Sequence, residues 1–218
     1  MHSARFTTLV MVLALPASSQ EAFEAALTID QVQSRTQTLR VSPMAQVTFE
    51  PKGNSAVGLT FAWYPWKVGG GQLGPSLAYR FKGSSDLWVS ESGATGTPGT
   101  FKNEHFDAGF RWTWRKPFDL GIGLQYRLEK LAWEPTAGPA ATWSTHWGRP
   151  WFEASAGYTW ESPAIKPFVA LSAALPLIQE SAPVLAAEPE SVAPSAREQL
   201  IRSAGPRLEL AFRAGIRF

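Results

Sequence analysis

A chain of 218 residues with 44% hydrophobic and 12% aromatic content fits one domain with ample apolar surface. A formal charge of +2, with basic residues scattered rather than gathered into a run, excludes a nucleic-acid footprint. The absence of cysteine excludes a disulfide framework, a thiolate metal site and a lipid-acylated cysteine.

At the N-terminus Arg5 precedes an apolar run over 6–16, and Ala17-Ser18-Ser19 follows it. That order of charge, short apolar stretch and small residues predicts a secretory signal peptide over 1–19, and the run is too short to span a bilayer as a helix. Residues 20–36 mix Glu, Ala, Gln and Thr with Phe23, Leu27, Ile29 and Val32. They are expected to form a periplasmic helix or tail, leaving 37–218 as the β domain.

Eight stretches then alternate bulky apolar with small or charged residues, the period of a strand. Over 38–50, Leu39, Val41, Ala45, Val47 and Phe49 oppose Arg40, Ser42, Gln46 and Thr48; over 55–66, Val57, Leu59, Phe61 and Trp63 oppose Ala56, Gly58, Thr60 and Ala62. Over 72–82, Leu73, Leu77, Tyr79 and Phe81 oppose Gly74, Ser76, Ala78, Arg80 and Lys82. Over 105–115, Phe106, Phe110, Trp112 and Trp114 oppose Asp107, Gly109, Arg111 and Arg115; over 118–130, Leu120, Ile122, Leu124, Tyr126 and Leu128 oppose Asp119, Gln125, Arg127 and Glu129. Over 151–161, Phe152, Tyr158 and Trp160 oppose Glu153, Ser155, Gly157 and Glu161. Over 164–177, Val169, Leu171 and Leu175 oppose Lys166, Ala170, Ser172 and Ala174. The last stretch, 205–218, sets Leu208, Leu210, Phe212, Ile216 and Phe218 against Arg207, Glu209, Arg213, Gly215 and Arg217. Pro43, Pro75, Pro167 and Pro176 each remove a ladder donor and are expected at bulges or strand ends.

A β-sandwich would show the same period, so other features must choose. The polar row is rich in Gly, Ala and Ser with isolated charges, which suits the cramped inside of a narrow barrel. Connections alternate between tight turns near 116–117 and 162–163 and long segments at 83–104, 131–150 and 178–204. Trp63, Trp66, Trp112, Trp114, Tyr158 and Trp160 fall at the short-turn end, as an interfacial girdle would. Eight strands also return the chain to the side where the first began. The expected fold is therefore all-β: a closed antiparallel eight-stranded transmembrane up-and-down β-barrel with short periplasmic turns and long extracellular loops. The first loop, 51–54, reads as a plain turn. The second and third read as projecting ribbons, with Trp133, Trp143 and Trp147 forming an outer girdle or an exposed contact surface. The fourth, 179–199, is an Ala, Pro and Glu mixture with little periodicity.

This architecture, together with the terminal Ile216-Arg217-Phe218, resembles the small eight-stranded bacterial outer-membrane β-barrel family. The resemblance covers nearly the whole chain after the signal. It implies the bacterial outer membrane as location, outer-membrane lipid as surroundings, and Ile216 and Phe218 as a signal read by the barrel-assembly machinery. Family members serve in adhesion, envelope structure, small-solute passage and lipid A modification, and fold alone does not choose among these.

The inner row supplies an expected lumen charge network of Arg40, Arg80, Asp107, Arg111, Arg127, Glu129, Glu153, Arg207, Glu209 and Arg213, joined by Lys82, Arg115, Lys166, Arg217, Asp119 and Glu161. Interlocked ion pairs would fill an eight-stranded barrel and leave no wide pore. Family lipid A deacylases carry a His two residues before a catalytic Ser; here Asp107 follows His105 and Gly148 follows His146, both His being placed near the outer strand ends. Ser144, His146 and Glu153 allow a reversed set. No catalytic, cofactor or metal constellation is expected. The function expected is a structural or surface-interaction protein with an envelope or surface partner; a narrow anion-preferring channel is the alternative, and a lipid A hydrolase the third.

Overall fold

In a computed structural model of the chain, the residues described are 23–33, 37–42, 45–51, 54–91, 97–114, 118–136, 143–162, 165–179, 202 and 205–218. The signal peptide expected over 1–19, the loop over 180–199, Pro43 and Arg115 lie outside them.

Among these residues eleven strands form one sheet: β1 (Phe23–Gln33), β2 (Gln37–Ser42), β3 (Ala45–Pro51), β4 (Asn54–Trp63), β5 (Trp66–Val68), β6 (Gly71–Glu91), β7 (Thr97–Trp114), β8 (Asp119–Pro135), β9 (Trp143–Thr159), β10 (Lys166–Pro176) and β11 (Leu208–Arg217). Eight of them close an antiparallel barrel, in the order β1, β4, β6, β7, β8, β9, β10, β11 and back to β1. The closing ladder runs from Glu24 opposite Arg217 to Gln33 opposite Leu208. Its lower end is tied by Phe23 N–H to the Phe218 carbonyl at 3.0 Å and Phe218 N–H to the Phe23 carbonyl at 3.2 Å.

This closure corrects the placement of the first strand. Residues 23–33, expected within a helix or tail, are a barrel strand, and the 38–50 stretch is instead the β2–β3 hairpin. That hairpin pairs along the upper part of β6, from Val47 opposite Glu91 to Pro51 opposite Leu87, outside the closed ring. The physical reason lies in the inner row of β1. Glu24 and Asp30 face basic partners across the lumen, which a solvated tail would lack. The plain turn expected at 51–54 is corrected too: β3 and β4 run in the same direction along β6, Pro51 opposite Leu87 and Ser55 opposite Ser84, so the chain does not reverse between them.

Side-chain parity is as the alternation requires, with the bulky row outside. Leu171 is 65% exposed, Leu27 60% and Leu124 56%, whereas Thr28 and Arg127 are at 0% and 1%. Pro75 sits where β4 has ended at Trp63 and β5 has yet to begin at Trp66, so no ladder bond is lost on that side; Pro176 ends β10. Tyr64, in the same break, turns inward and is buried. Gly69 and Gly70, with φ of 58° and 77°, make the two-residue turn from β5 to β6.

The two ends of the barrel differ. At the short-turn end Phe23 stacks between Trp63 and Phe218, with ring centroids 6.2 and 5.8 Å away, and Tyr158 meets Trp160 edge-on at 5.2 Å. Trp112 Nε1 donates to the Val68 carbonyl at 2.8 Å. At the other end β6 to β9 continue as a raised wall, β7 pairing with β8 as far as Gly99 opposite Pro135 and β8 with β9 as far as Trp133 opposite Trp143. The ribbons expected there are therefore present, joined side by side.

Candidate functional site

Period two carries the inner rows of eight strands into one narrow space, where fully buried charges meet at two levels. At the short-turn level Glu24 of β1 accepts from Arg111 Nη1 at 3.2 Å and from Arg217 Nε at 3.1 Å. Arg111 Nη2 donates to Glu153 at 3.0 Å, Arg213 Nη1 lies 3.2 Å from the same oxygen, and Gln125 donates to the other oxygen at 3.2 Å. Arg217 Nη1 donates to Asp119 at 2.6 Å, with its guanidinium over the Phe168 ring at 4.2 Å. The space left among these groups is about 10 Å³, room for about one water.

At the loop-side level Arg127 of β8 is the hub. It donates to both oxygens of Asp107 at 2.7 and 3.0 Å and to both oxygens of Glu209 at 2.6 and 3.2 Å. Arg80 pairs with Asp30 and donates to Thr60 Oγ1 at 3.3 Å. A Cβ on Gly58 would collide with the Arg80 side chain and the Tyr79 carbonyl, so the lack of a side chain there gives Arg80 its course across the lumen. His105 lies within the same cluster, Nε2 being 3.7 Å from Asp107 and 3.8 Å from Glu209.

Above this level the lumen is capped. Arg149 donates to both oxygens of Glu129 at 2.9 and 3.2 Å and to the Pro206 carbonyl at 2.7 Å. Trp151 lies beneath it, with the Arg127 guanidinium 3.9 Å and that of Arg149 4.8 Å from its ring. Phe101, Leu131 and Trp133 are buried on the inner face of the raised wall, and a Cβ on Gly99 would strike the Trp133 indole. Arg202 fastens the covering segment by donating to Thr145 Oγ1 at 3.1 Å.

Of the expected network, Arg80, Asp107, Arg111, Arg127, Glu129, Glu153, Glu209 and Arg213 are brought together as buried groups. Arg207 is half-buried at the rim. Arg40 lies on β2, outside the ring. Lys166 and Glu161, also expected inside, pair with each other at 3.0 Å beside the short turn, Glu161 being largely exposed. Glu24, Asp30, Arg149 and His105 were not foreseen there. Trp66, Trp114, Tyr158 and Trp160 are exposed at the short-turn end, with Trp63 and Trp112 half-buried beside them, and Ile216 and Phe218 face outward. Trp133 and Trp147 correct the outer-girdle reading: Trp133 is buried on the inner row, and Trp147 stacks under Arg149 at 4.2 Å. The reversed Ser144, His146 and Glu153 set does not assemble, because His146 is exposed while Glu153 is buried in the lumen.

A scan against protein-family models finds no match, and a search of curated proteins finds no relative.

Proposed function

We propose that this chain is an integral bacterial outer-membrane barrel of up-and-down order, acting as a structural or surface-interaction protein through its raised end and loops, without catalysis. The observation that carries this reading is the inverted surface: large apolar side chains outside, paired charges inside. On β8 the outward row is apolar from Leu120 to Leu128 and becomes polar at Lys130. A tilted transmembrane strand needs about 9–11 residues, and this row supplies that length. A closed ring also satisfies the backbone groups that hydrocarbon would leave unpaired.

In this orientation the aromatic short-turn end sits at the periplasmic interface and the raised wall projects outward. The surroundings are outer-membrane lipid, the barrel-assembly machinery reads the outward Ile216 and Phe218 row, and an envelope or surface protein meets the raised end; nucleic acid is not a partner. The two charged levels crossing the lumen support a structural role over conduction.

The test is purification from membranes followed by three measurements. Detergent-dependent solubility with heat-modifiable gel mobility is expected, and a monomer soluble without detergent would overturn the membrane reading. Planar bilayers should show no unitary steps; reproducible ohmic steps would put the channel first. Deleting 179–199 should preserve heat-modifiable folding while reducing capture of partners from envelope extracts, and unchanged capture would remove that loop from the surface.

A further inference from the structure

The buried charges are balanced at one level and not at the other. Among the described residues, Glu24, Asp119 and Glu153 face Arg111, Arg213 and Arg217 at the short-turn level. On the loop side four buried carboxylates, Asp30, Asp107, Glu129 and Glu209, face three buried guanidiniums, Arg80, Arg127 and Arg149. Arg207 stands at the half-exposed rim, where water screens it. Among the buried groups described, the carboxylates of this level outnumber the guanidiniums by one, in a medium where an uncompensated ion is costly.

His105 stands at this imbalance. It is 2% exposed, and neither ring nitrogen has a hydrogen-bond partner, a costly state for a buried polar group. One ligand atom each from Asp30, His105 and Glu209 lie within 4.8 Å of one another, and Asp107 is 3.7 Å from His105 Nε2. We propose that Asp30, His105 and Glu209 form a binding site for a divalent transition-metal cation of mixed nitrogen and oxygen preference, with Zn2+ as the reference ion.

The chemistry of the donor set fits such an ion: a neutral imidazole nitrogen and two carboxylate oxygens, with Asp107 within reach as a fourth donor. Bond lengths near 2.0–2.2 Å bring tetrahedral ligands to about 3.4 Å apart, so the side chains must draw in by roughly 1 Å, within the reach of side-chain rotation. Arg80 and Arg127 need not leave. A carboxylate has about four lone-pair sites, and a guanidinium on some of them orients the rest, as outer partners do in metal centres. The cation would bring positive charge to the level richer in carboxylates and give the His105 ring nitrogen a partner. Enclosure in the barrel means that the ion enters as the ring closes.

The experiment refolds the full chain from urea into detergent with Zn2+ or with chelator, strips free metal on a chelating resin and measures bound metal by mass spectrometry. The wild-type chain should retain about one equivalent, falling about tenfold or more in His105→Ala and in Asp30→Asn while His146→Ala keeps its metal. Retention below a tenth of an equivalent in the wild type, or equal retention in His105→Ala, would overturn the site. Should His105→Ala fail to fold, Co2+ refolded with the wild type decides the matter. An intensified visible absorption of low-coordinate Co2+ supports the site, and the spectrum of the hydrated ion refutes it. Neither outcome depends on what the raised end binds.

Discussion

Strands β6 to β9 carry 17 to 21 residues each, whereas β1, β4, β10 and β11 carry 10 or 11, and the inner faces of the two sides differ as much as their lengths. The tall side contributes Arg80, Arg111, Arg127, Arg149, Trp151 and His105. The short side contributes many small residues, among them Ala26, Thr28, Ala56, Thr60, Ala170, Ser172 and Ala211, along with Glu24, Asp30, Glu209, Arg213 and Arg217. Long side chains from one wall thus reach across to a wall with room for them. Four of the six buried arginines among the described residues come from the tall side, and small residues on both sides leave them room in a narrow barrel.

The largest effect should come from the hub of the tall side. Arg127→Met leaves Asp107 and Glu209 facing each other without their guanidinium, and a loss of about 3–5 kcal/mol is expected in urea unfolding from lipid vesicles. Adding Asp107→Asn and Glu209→Gln should restore most of it, and failure to do so would mean that packing rather than charge dominates there.

On the outer face of the same side, Leu124→Arg at the middle of the apolar band should cost about 2–4 kcal/mol in vesicles, against about 0–1 kcal/mol for Ala132→Arg beyond Lys130. Equal costs at the two positions would argue that no hydrocarbon surrounds β8. The short side is probed by Gly58→Ala, whose methyl group displaces Arg80; a loss of about 1–3 kcal/mol is expected by the same unfolding measurement. The smallest effect belongs to the cap. Arg202→Ala removes donors to Thr145 and the His146 carbonyl, and should cost about 0.5–1.5 kcal/mol while speeding proteolysis near 202–206. Unchanged cleavage would show that Arg149 alone holds that segment.

Much of the ring was legible because alternation is a local property. The rows through Asp107 and Arg111, Arg127 and Glu129, and Glu209 and Arg213 place their charges inside without any knowledge of pairing. What alternation cannot supply is the identity of the neighbour. Residues 38–50 alternate as cleanly as a barrel strand, yet their ladder is with β6 above the ring. Phe23–Gln33, diluted by Ala25, Ala26 and Gln31, bonds to β11, nearly two hundred residues along the chain. Arg149 was missed because Trp147-Gly148-Arg149-Pro150 reads as a loop ribbon, although it continues the inner row of Trp151 and Glu153. His105 belongs to the row of Asp107, but its place near a strand end kept it out of the expected charge network. Its meeting with Asp30 and Glu209 joins β1, β7 and β11, a proximity that no local spacing encodes.

The seam between β1 and β11 has a consequence for how the molecule comes into being. A hairpin such as β7–β8 can form alone, but the ladder from Glu24 opposite Arg217 to Gln33 opposite Leu208 cannot begin until the last strand exists. Contacts of such long sequence separation make folding slow and leave two open edges in every shorter intermediate. The same seam brings Phe23 and Phe218 into mutual hydrogen bonding, so a brief linker between them, with new ends cut at the raised rim, would give a circular permutant with the same ring and a different order of assembly.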